Sequence, residues 1–199
     1  MSRMTHHLLL QGVADTTTGL AQAARQWSSA SPVPLELHRL ARQTETGAVY
    51  AYGRLLSPCN LSQGELAACL SAWPSQESKL HATSVSRLEV ALDAQGVSSA
   101  ERPMFHYVVE MDPEAGWQDE LFDWYDTEHM PGLATVPGCI HARRFLNHDH
   151  GPLSLACYDL VSDSTLGSAP WLAVRNTAWS DRVRPHFTHT RRTMMEVLA

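Results

Sequence analysis

The sequence predicts an α+β protein built from two tandem βαββαβ units in a chain of 199 residues. Segments with the two-residue period of strands alternate with segments of helical period, and the order is the same in each half. Residues 94–103, AQGVSSAERP, have the composition of a linker. We therefore expect an N-terminal unit at residues 1–95 and a C-terminal unit at residues 103–199.

In the first half, strands are predicted at residues 6–13, 35–43, 48–56 and 79–92, and helices at residues 19–29 and 62–73. The first helix carries apolar residues at i, i+3, i+4 and i+7, from Leu20 to Trp27. Pro32 and Pro34 follow and break it. Ser62 and Glu65 have the spacing of a capping box, so they mark the start of the second helix.

In the second half, strands are predicted at residues 103–111, 139–146, 153–161 and 186–197, and helices at residues 117–130, 163–175 and 179–184. The helix at 117–130 is acidic and aromatic. Leu121, Tyr125 and His129 lie at i, i+4 and i+8, so His129 continues the apolar face. Pro131 disfavours helical geometry at Met130, and we expect the helix to end there.

Composition and charge exclude several classes of protein. Hydrophobic residues make up 44% of the chain, charged residues 18%, and the net charge is −6, which is not the basic footprint of a nucleic-acid-binding protein. No apolar run approaches membrane-spanning length, and we expect no membrane association. The N-terminus lacks a signal peptide's apolar region. We expect a cytoplasmic protein with reduced thiols, in which Cys139 and Cys157 pack as small hydrophobic residues.

One stretch resembles a known family. The run FDWYDTEHMP at 122–131, VPG at 136–138 and ARRF at 142–145 resembles the dimeric α+β barrel superfamily, and within it the EthD-like members. The resemblance covers about residues 104–198. It implies ferredoxin-like βαββαβ units whose sheets form a barrel, here as a pseudo-dimer within one chain. Because residues 1–95 lack the run, we expect that unit to be mainly structural and the pocket to lie in the second.

The resemblance also suggests a chemistry. Related barrels include muconolactone isomerases, small cofactor-free monooxygenases and polyketide cyclases. We expect His129 to act as a general acid or base, oriented by Glu128 or Asp123, with Tyr125 and Trp124 as pocket walls. The alternative is a histidine bonded to a backbone carbonyl or to the helix dipole, which would make the run a folding motif.

Strand residues supply further candidates. Arg143 or Arg144 could hold a carboxylate or phenolate of a ligand, or pair with the acidic helix. His106 and His141 are expected to point inward, as ligands or as core and rim histidines. On the last strand, strict alternation places Arg192 and Phe187 on opposite faces. The residues 148–150, HDH, form an incomplete set of metal ligands in a predicted turn, so we expect no metal.

The sequence therefore predicts a cofactor-independent isomerase, cyclase or monooxygenase that acts on a small apolar or aromatic, enolisable molecule. No phosphate loop, GxSxG elbow or HExxH motif is present. Two alternatives stay open. One is a barrel that binds a small molecule or has a structural role without catalysis, and the other is haem binding through a histidine. Exposed barrel edges would leave room for a homodimer.

Overall fold

The fold class is confirmed by the computed structural model, which describes residues 4–74 and 79–199. The protein is α+β, and its strands hydrogen-bond in the closed order β1-β3-β2-β8-β5-β7-β6-β4 of an antiparallel barrel. The strands are β1 Thr5–Val13, β2 Leu35–Arg42, β3 Ala48–Cys59, β4 His81–Gln95, β5 Phe105–Pro113, β6 Cys139–Asn147, β7 Ser154–Leu160 and β8 Phe187–Val197.

The helices follow the predicted order. They are α1 Leu20–Ala30, α2 Gln63–Ser71, α3 Gln118–Trp124, α4 Met130–Ala134, α5 Ala169–Arg175 and α6 Ala178–Val183. A π-helical turn, Tyr125–His129, joins α3 to α4, and 3₁₀ turns lie at Asp163–Gly167 and Arg184–His186. In the part of the chain that the structure describes, no helix has both the length and the apolar character needed to cross a membrane.

The chain divides into two compact units. One comprises Met1–Val90, Asn147–His150 and Met195–Ala199, and the other comprises Ala91–Leu146 and Gly151–Met194. Each has its own hydrophobic core.

In the first unit, α1 buries its predicted apolar face, and the indole nitrogen of Trp27 donates to the carbonyl of Cys69 at 2.9 Å. The capping box is confirmed, because Ser62 accepts from the N–H of Glu65 while the Glu65 carboxylate accepts from the N–H of Ser62. The Trp27 bond links α1 to α2, and the capping box stabilises the N-terminus of α2.

In the second unit, β7 lies between β5 and β6 and pairs antiparallel with both. Cys139 and Cys157 are buried in these strands as free thiols, as predicted. Burial and the nearby charge of Asp159 raise the pKa of Cys139 to about 12, so this thiol stays protonated. The core of this unit is rich in aromatic residues, and these residues surround the candidate site.

Candidate active site

The helix that follows β5 changes its hydrogen-bonding period part-way along. α3 ends at Trp124, residues Tyr125–His129 form a π-helical turn, and α4 follows at Met130 without an intervening loop. The N–H of Met130 donates to the carbonyl of Tyr125, five residues earlier. The prediction that the helix ends at Met130 is therefore wrong. In an α-helix the Pro131 ring would collide with the carbonyl four residues before it, and the wider π turn relieves this contact.

The π turn brings aromatic rings together around His129. The rings of Trp124 and His129 stack with their centroids 4.2 Å apart and a 20° inclination. Tyr125 meets His129 edge-on at 5.7 Å, and Phe187 stacks on Tyr125 at 6.0 Å. Residues five apart lie on different faces of an α-helix, whereas a turn whose bonds span five residues brings them to one face. The local widening of the helix thus fixes the imidazole against the indole.

The imidazole of His129 is largely enclosed and lacks a polar contact at one nitrogen. Its Nδ1 atom is buried and has no hydrogen-bond partner among the described residues. Burial, together with the positive charges of Arg184 and Arg175, lowers the pKa of His129 to about 3. The ring is therefore neutral at neutral pH, and one of its nitrogens carries a lone pair that can accept a proton.

Three arginines approach His129 from three different elements. Arg175 lies at the end of α5, Arg184 opens the second 3₁₀ turn and Arg192 lies in β8. Burial and the like charges of Arg175 and Arg192 lower the pKa of Arg184, and Asp181 acts in the opposite direction. Across residues 4–74 and 79–199, none of the three has a carboxylate oxygen within ion-pair distance. The site is therefore locally positive in a chain of negative net charge.

Arg192 reaches this site because β8 is irregular. His189 has a φ of 48°, in the left-handed region that strand residues avoid. Phe187 and Arg192 are five residues apart, so strict alternation would place them on opposite faces, yet both line the same cavity. The predicted alternation is therefore wrong between these two residues, and the left-handed backbone at His189 lies in the stretch where it breaks. Asp112 stabilises the irregular segment by accepting from Thr188 at its carbonyl and contacting His189 Nδ1, each at 2.9 Å.

The cavity consists of an inner chamber and an outer cleft. The chamber, of about 50 Å³, is lined by Tyr107, Val109, Trp124, Tyr125, His129, Tyr158, Leu166, Trp171, Phe187 and the three arginines. The cleft, of about 690 Å³, is lined by Asp163, Ser164, Gly167 and Leu172 and by five residues that it shares with the chamber: Tyr107, Leu166, Trp171, Arg175 and Arg192. The cleft has the volume of a small-molecule site, whereas the chamber has about a third of the roughly 150 Å³ of an engineered protein cavity that binds benzene. His129 therefore opens onto a space smaller than one aromatic ring.

Phenol and indole groups complete the wall. Burial raises the pKa values of Tyr107, Tyr125 and Tyr158, and the arginine charges oppose this for Tyr107 and Tyr125. The three hydroxyls therefore stay protonated at neutral pH. The Tyr158 hydroxyl and the Trp124 indole N–H are buried without a hydrogen-bond partner in the described structure. Two polar groups besides His129 are thus uncommitted around the chamber.

The acidic residues expected to orient His129 make other contacts. Glu128 accepts a hydrogen bond from the hydroxyl of Thr177 at 2.6 Å, at the N-cap of α6. Asp123 is exposed, and its carbonyl accepts from Thr127 at 2.6 Å. Within the described residues, neither carboxylate bonds to His129 Nδ1. Glu128 thus holds α6 against the π turn rather than setting the tautomer of the imidazole.

Arg144 pairs with the acidic helix. Its Nε and Nη2 atoms donate to the two carboxylate oxygens of Asp126 at 2.9 and 2.7 Å, and its guanidinium lies 4.3 Å from the centroid of Phe122. The side chain is 2% exposed. The ion-pair alternative considered for this arginine is the one observed, and Arg144 does not line the cavity.

The other strand candidates also lie outside the cavity lining. Arg143 donates to Asp93 at 3.0 Å, and His141 bonds to the same carboxylate. His106 is buried with its Nδ1 atom 2.8 Å from Asp159. Each of these side chains already has a carboxylate partner, so the structure brings only His129, Tyr125 and Trp124 of the predicted site residues to one cavity.

Two residues of the 148–150 run form ion pairs or hydrogen bonds with other side chains. Asp149 accepts from Arg87 Nη2 at 2.7 Å, and His148 Nε2 lies 3.0 Å from Glu89. Among the described residues, no three His, Cys, Asp or Glu side chains are grouped so that they could hold a metal ion.

Comparison with known proteins gives structural similarity without sequence similarity. No family model matches the chain, and no curated protein matches it. Among solved structures, an anthrone oxidase-like protein superposes with a TM-score of 0.61 at 13% identity, covering 98% of this chain and 92% of that one. A "putative monooxygenase" from Lactobacillus acidophilus has a TM-score of 0.62 at 9% identity and covers 98% and 93%. Another so named, from Fusobacterium nucleatum, has a TM-score of 0.61 at 9% identity and covers 100% and 94%.

These similarities show the fold alone. They are consistent with the dimeric α+β barrel superfamily that the 122–145 run resembles. At identities of 9 to 13%, these structures do not assign site residues in this chain.

Sequence reasoning missed the three arginines and two tyrosines of the site. Arg175 and Arg184 end predicted helices and carry no motif, and on the last strand Arg192 and Glu196 share a face, which favours a pair between them. Instead, Glu196 accepts from the hydroxyl of Thr44 at 3.3 Å. One signal was available in the sequence. Eight basic residues fall among residues 101–199, and most of the eight lie in just two stretches, 143–144 and 175–192.

Proposed function

We propose that the protein is a cofactor-independent enzyme of isomerase, cyclase or monooxygenase type that moves a proton on a small, enolisable aromatic molecule. The observation that carries this proposal is the neutral imidazole of His129 in an aromatic chamber beside cationic side chains. A neutral imidazole with an uncommitted nitrogen can accept a proton, as a weak base while its pKa is about 3, and fixed positive charges favour the anion that proton removal creates.

In the proposed reaction, His129 takes a proton from a carbon next to a carbonyl group. The C–H electron pair becomes part of a new C=C bond, and the carbonyl oxygen becomes an enolate. Arg184 and Arg175, whose charges act on His129, stabilise the enolate. Return of the proton to another carbon completes an isomerisation. In a cyclisation the enolate carbon instead forms a bond to a second carbonyl carbon of the same molecule, the π electrons of that carbonyl group move to its oxygen, and the oxygen takes the proton from His129. In an oxygenation the enolate carbon and O₂ form a C–O bond, the outer oxygen takes the proton from His129, and the resulting hydroperoxide loses water to leave a new carbonyl group.

The structural neighbours support the choice of substrates to test. One neighbour is named anthrone oxidase-like, and anthrone is a fused aromatic ketone with an acidic CH₂ group. Two others carry the name of monooxygenases. The cleft of about 690 Å³ falls within the range of small-molecule pockets.

We further propose that the chain is a tandem form of the EthD-like barrels, with a mainly structural unit at residues 1–95. Support comes from the strand pattern of the two halves, each with helical segments between its first and second strands and between its third and fourth strands, and from the 122–145 run, which occurs in the second half. All residues that line the chamber and the cleft belong to the second half.

A binding protein without catalysis is the second candidate. The observation that favours it is the size of the inner chamber, about 50 Å³, which leaves no room for an aromatic ring beside His129. A catalytic complex then requires the wall formed by residues such as Leu166 and Trp171 to move. A binding protein requires only that the cleft be filled.

Proton abstraction can be measured without knowing the natural substrate. Enolisable aromatic ketones, anthrone first, are incubated with the protein in D₂O under nitrogen, and deuterium uptake is followed by NMR. The same mixtures under air report oxidation, in which anthrone and O₂ give anthraquinone and water. We expect exchange with the wild type and loss of about 100-fold or more in His129→Gln. His150→Gln, at an exposed histidine, is the matched control and should retain the wild-type rate.

Two results would contradict the proposal. Exchange that persists in His129→Gln would show that His129 is not the proton acceptor. Tight binding of a ketone with no exchange above the protein-free rate would favour the binding protein.

A further inference from the structure

We propose that Arg175, Arg184 and Arg192 form an anion-binding site where the chamber meets the cleft, and that the ligand is an aromatic carboxylate. If the proposed enzyme function holds, this carboxylate is its substrate, and to that extent the inference rests on the proposed function. Binding of the carboxylate is a property of the three arginines and the cleft, and it is tested separately from turnover.

The second unit has eight arginines, and four of them pair with carboxylates, in the ion pairs Arg143–Asp93, Arg144–Asp126, Arg182–Glu120 and Arg191–Glu110. Arg102 is exposed and lies outside the cavity lining. The three arginines at the cavity have no carboxylate partner within ion-pair distance among the described residues. These three charges together give the cavity a local excess of positive charge that an anion would compensate.

The like charges are close enough to affect one another. Arg175 and Arg192 both lower the pKa of Arg184, which means that the three cations repel each other inside a partly buried site. Two carboxylates lie nearby, Asp163 in the cleft wall and Asp181 close to Arg184. The three arginines and these two carboxylates together carry a charge of +1. A bound carboxylate would relieve the repulsion, so binding adds favourable energy to that of its own hydrogen bonds.

The position of the arginines fixes how a ligand would lie. Arg175 and Arg192 line both the chamber and the cleft, whereas Arg184 lines the chamber alone. The carboxylate therefore belongs at the junction, and the rest of the ligand extends into the cleft. There Tyr107 and Trp171, with centroids 6.4 Å apart and planes at 70°, offer aromatic surface to a planar ring.

The same anion would change the state of His129. Arg184 and Arg175 lower the pKa of His129, so a negative charge placed between them and the imidazole acts in the opposite direction. A carboxylate substrate would thus make His129 a stronger base when it binds. The site would couple recognition of the ligand to proton transfer.

A matched pair of ligands tests the charge requirement. 1-Hydroxy-2-naphthoate is titrated into the full-length protein, and 1-hydroxy-2-naphthamide serves as its neutral analogue of nearly the same shape. Binding is followed by tryptophan fluorescence and calorimetry. We expect the carboxylate to bind about 10-fold tighter or more, with an affinity that falls as salt rises. Ring NMR signals of His129 should report a raised pKa in the complex.

Matched variants test the residues. Arg175→Gln and Arg192→Gln should each weaken carboxylate binding about 10-fold and leave amide binding unchanged. Arg182→Gln removes an arginine that is paired with Glu120 and is the control for charge alone. His129→Gln should keep the preference for the carboxylate. Both cavity arginines are at least partly exposed, and circular dichroism checks that the variants fold.

The outcomes separate this inference from the proposed function. Equal binding of acid and amide, or an equal loss in Arg182→Gln and Arg192→Gln, would overturn the anion site. Selective binding of the carboxylate without proton exchange on any ketone would support the anion-binding site and contradict the proposed enzyme activity.

Discussion

Burial of a neutral imidazole predicts that acid weakens the fold through His129. The pKa of His129 is about 3 in the folded protein, and its ordinary value is 6.5. Between these values the unfolded chain binds a proton that the folded chain does not, so stability falls as the pH drops from about 6.5 toward 3. Each pH unit within this window costs about 1.4 kcal/mol, so the loss is about 3 kcal/mol at pH 4.5 and about 5 kcal/mol at full extent.

The groups around the imidazole all act in one direction. Arg184 and Arg175 disfavour the imidazolium, as does burial. The contacts with Trp124 and Tyr125 are to rings that stay uncharged at these pH values. His129→Gln removes the titrating group, so the variant should lose about 3 kcal/mol less than the wild type between pH 7 and pH 4.5, whatever its stability at pH 7.

Urea unfolding at pH 7.5, 6.5, 5.5 and 4.5 measures this difference. Tryptophan fluorescence and circular dichroism are recorded together, because coincident transitions are needed before a free energy of unfolding is extracted. His150→Gln controls for removal of an exposed histidine. If the wild type and His129→Gln lose stability in parallel over this pH range, the imidazole is not buried in its neutral form and the reasoning fails.

Two further changes test contacts that frame the site. Arg144→Met keeps an unbranched apolar side chain but removes the guanidinium over Phe122 and the two hydrogen bonds to Asp126, so we expect a loss of about 2–3 kcal/mol in urea unfolding, with Asp126→Asn restoring part of it in a double-mutant cycle. Additive losses would show that the pair is not coupled. Gly138→Ala should cost about 2–3 kcal/mol, because φ is 93° and a Cβ would lie 2.5 Å from the Thr165 hydroxyl. Thr165→Ala should relieve the steric part, and an unchanged Tm in Gly138→Ala would contradict the geometry.

The fold was predictable because its signals are local. Alternating apolar residues, the capping box at Ser62 and the turn residues between segments each specify one element, and the eight strands lie within three residues of their predicted ends. The order of elements then leaves few ways to cover an antiparallel sheet. A closed barrel is one of them, and the fold class followed from these local signals.

The two irregular elements were not predictable in this way. The π turn at Tyr125–His129 widens the helix, and the left-handed backbone at His189 interrupts the alternation of β8. Local propensity favours the regular period at both places, and tertiary contacts decide against it. The sequence predicts a helix end at the proline after the π turn, although a widened turn accommodates it. Both irregularities direct side chains into the cavity. A prediction that assumes a regular helix or strand period therefore does not bring these side chains together.

The arginines of the site were difficult to predict for a different reason. The role of a charged side chain depends on which other charged side chains the fold places near it. The sequence offers Arg143 and Arg144 next to a recognisable run, and both have carboxylate partners, Asp93 and Asp126. Which arginines remain without one depends on how the strands and helices meet. Here Arg175, Arg184 and Arg192 line the chamber onto which His129 opens, and the charges of Arg184 and Arg175 help to keep its imidazole neutral. The proposed proton acceptor and the proposed anion site are therefore one electrostatic feature, and removing one of these arginines would shift the pKa of the imidazole as well as the affinity for the ligand.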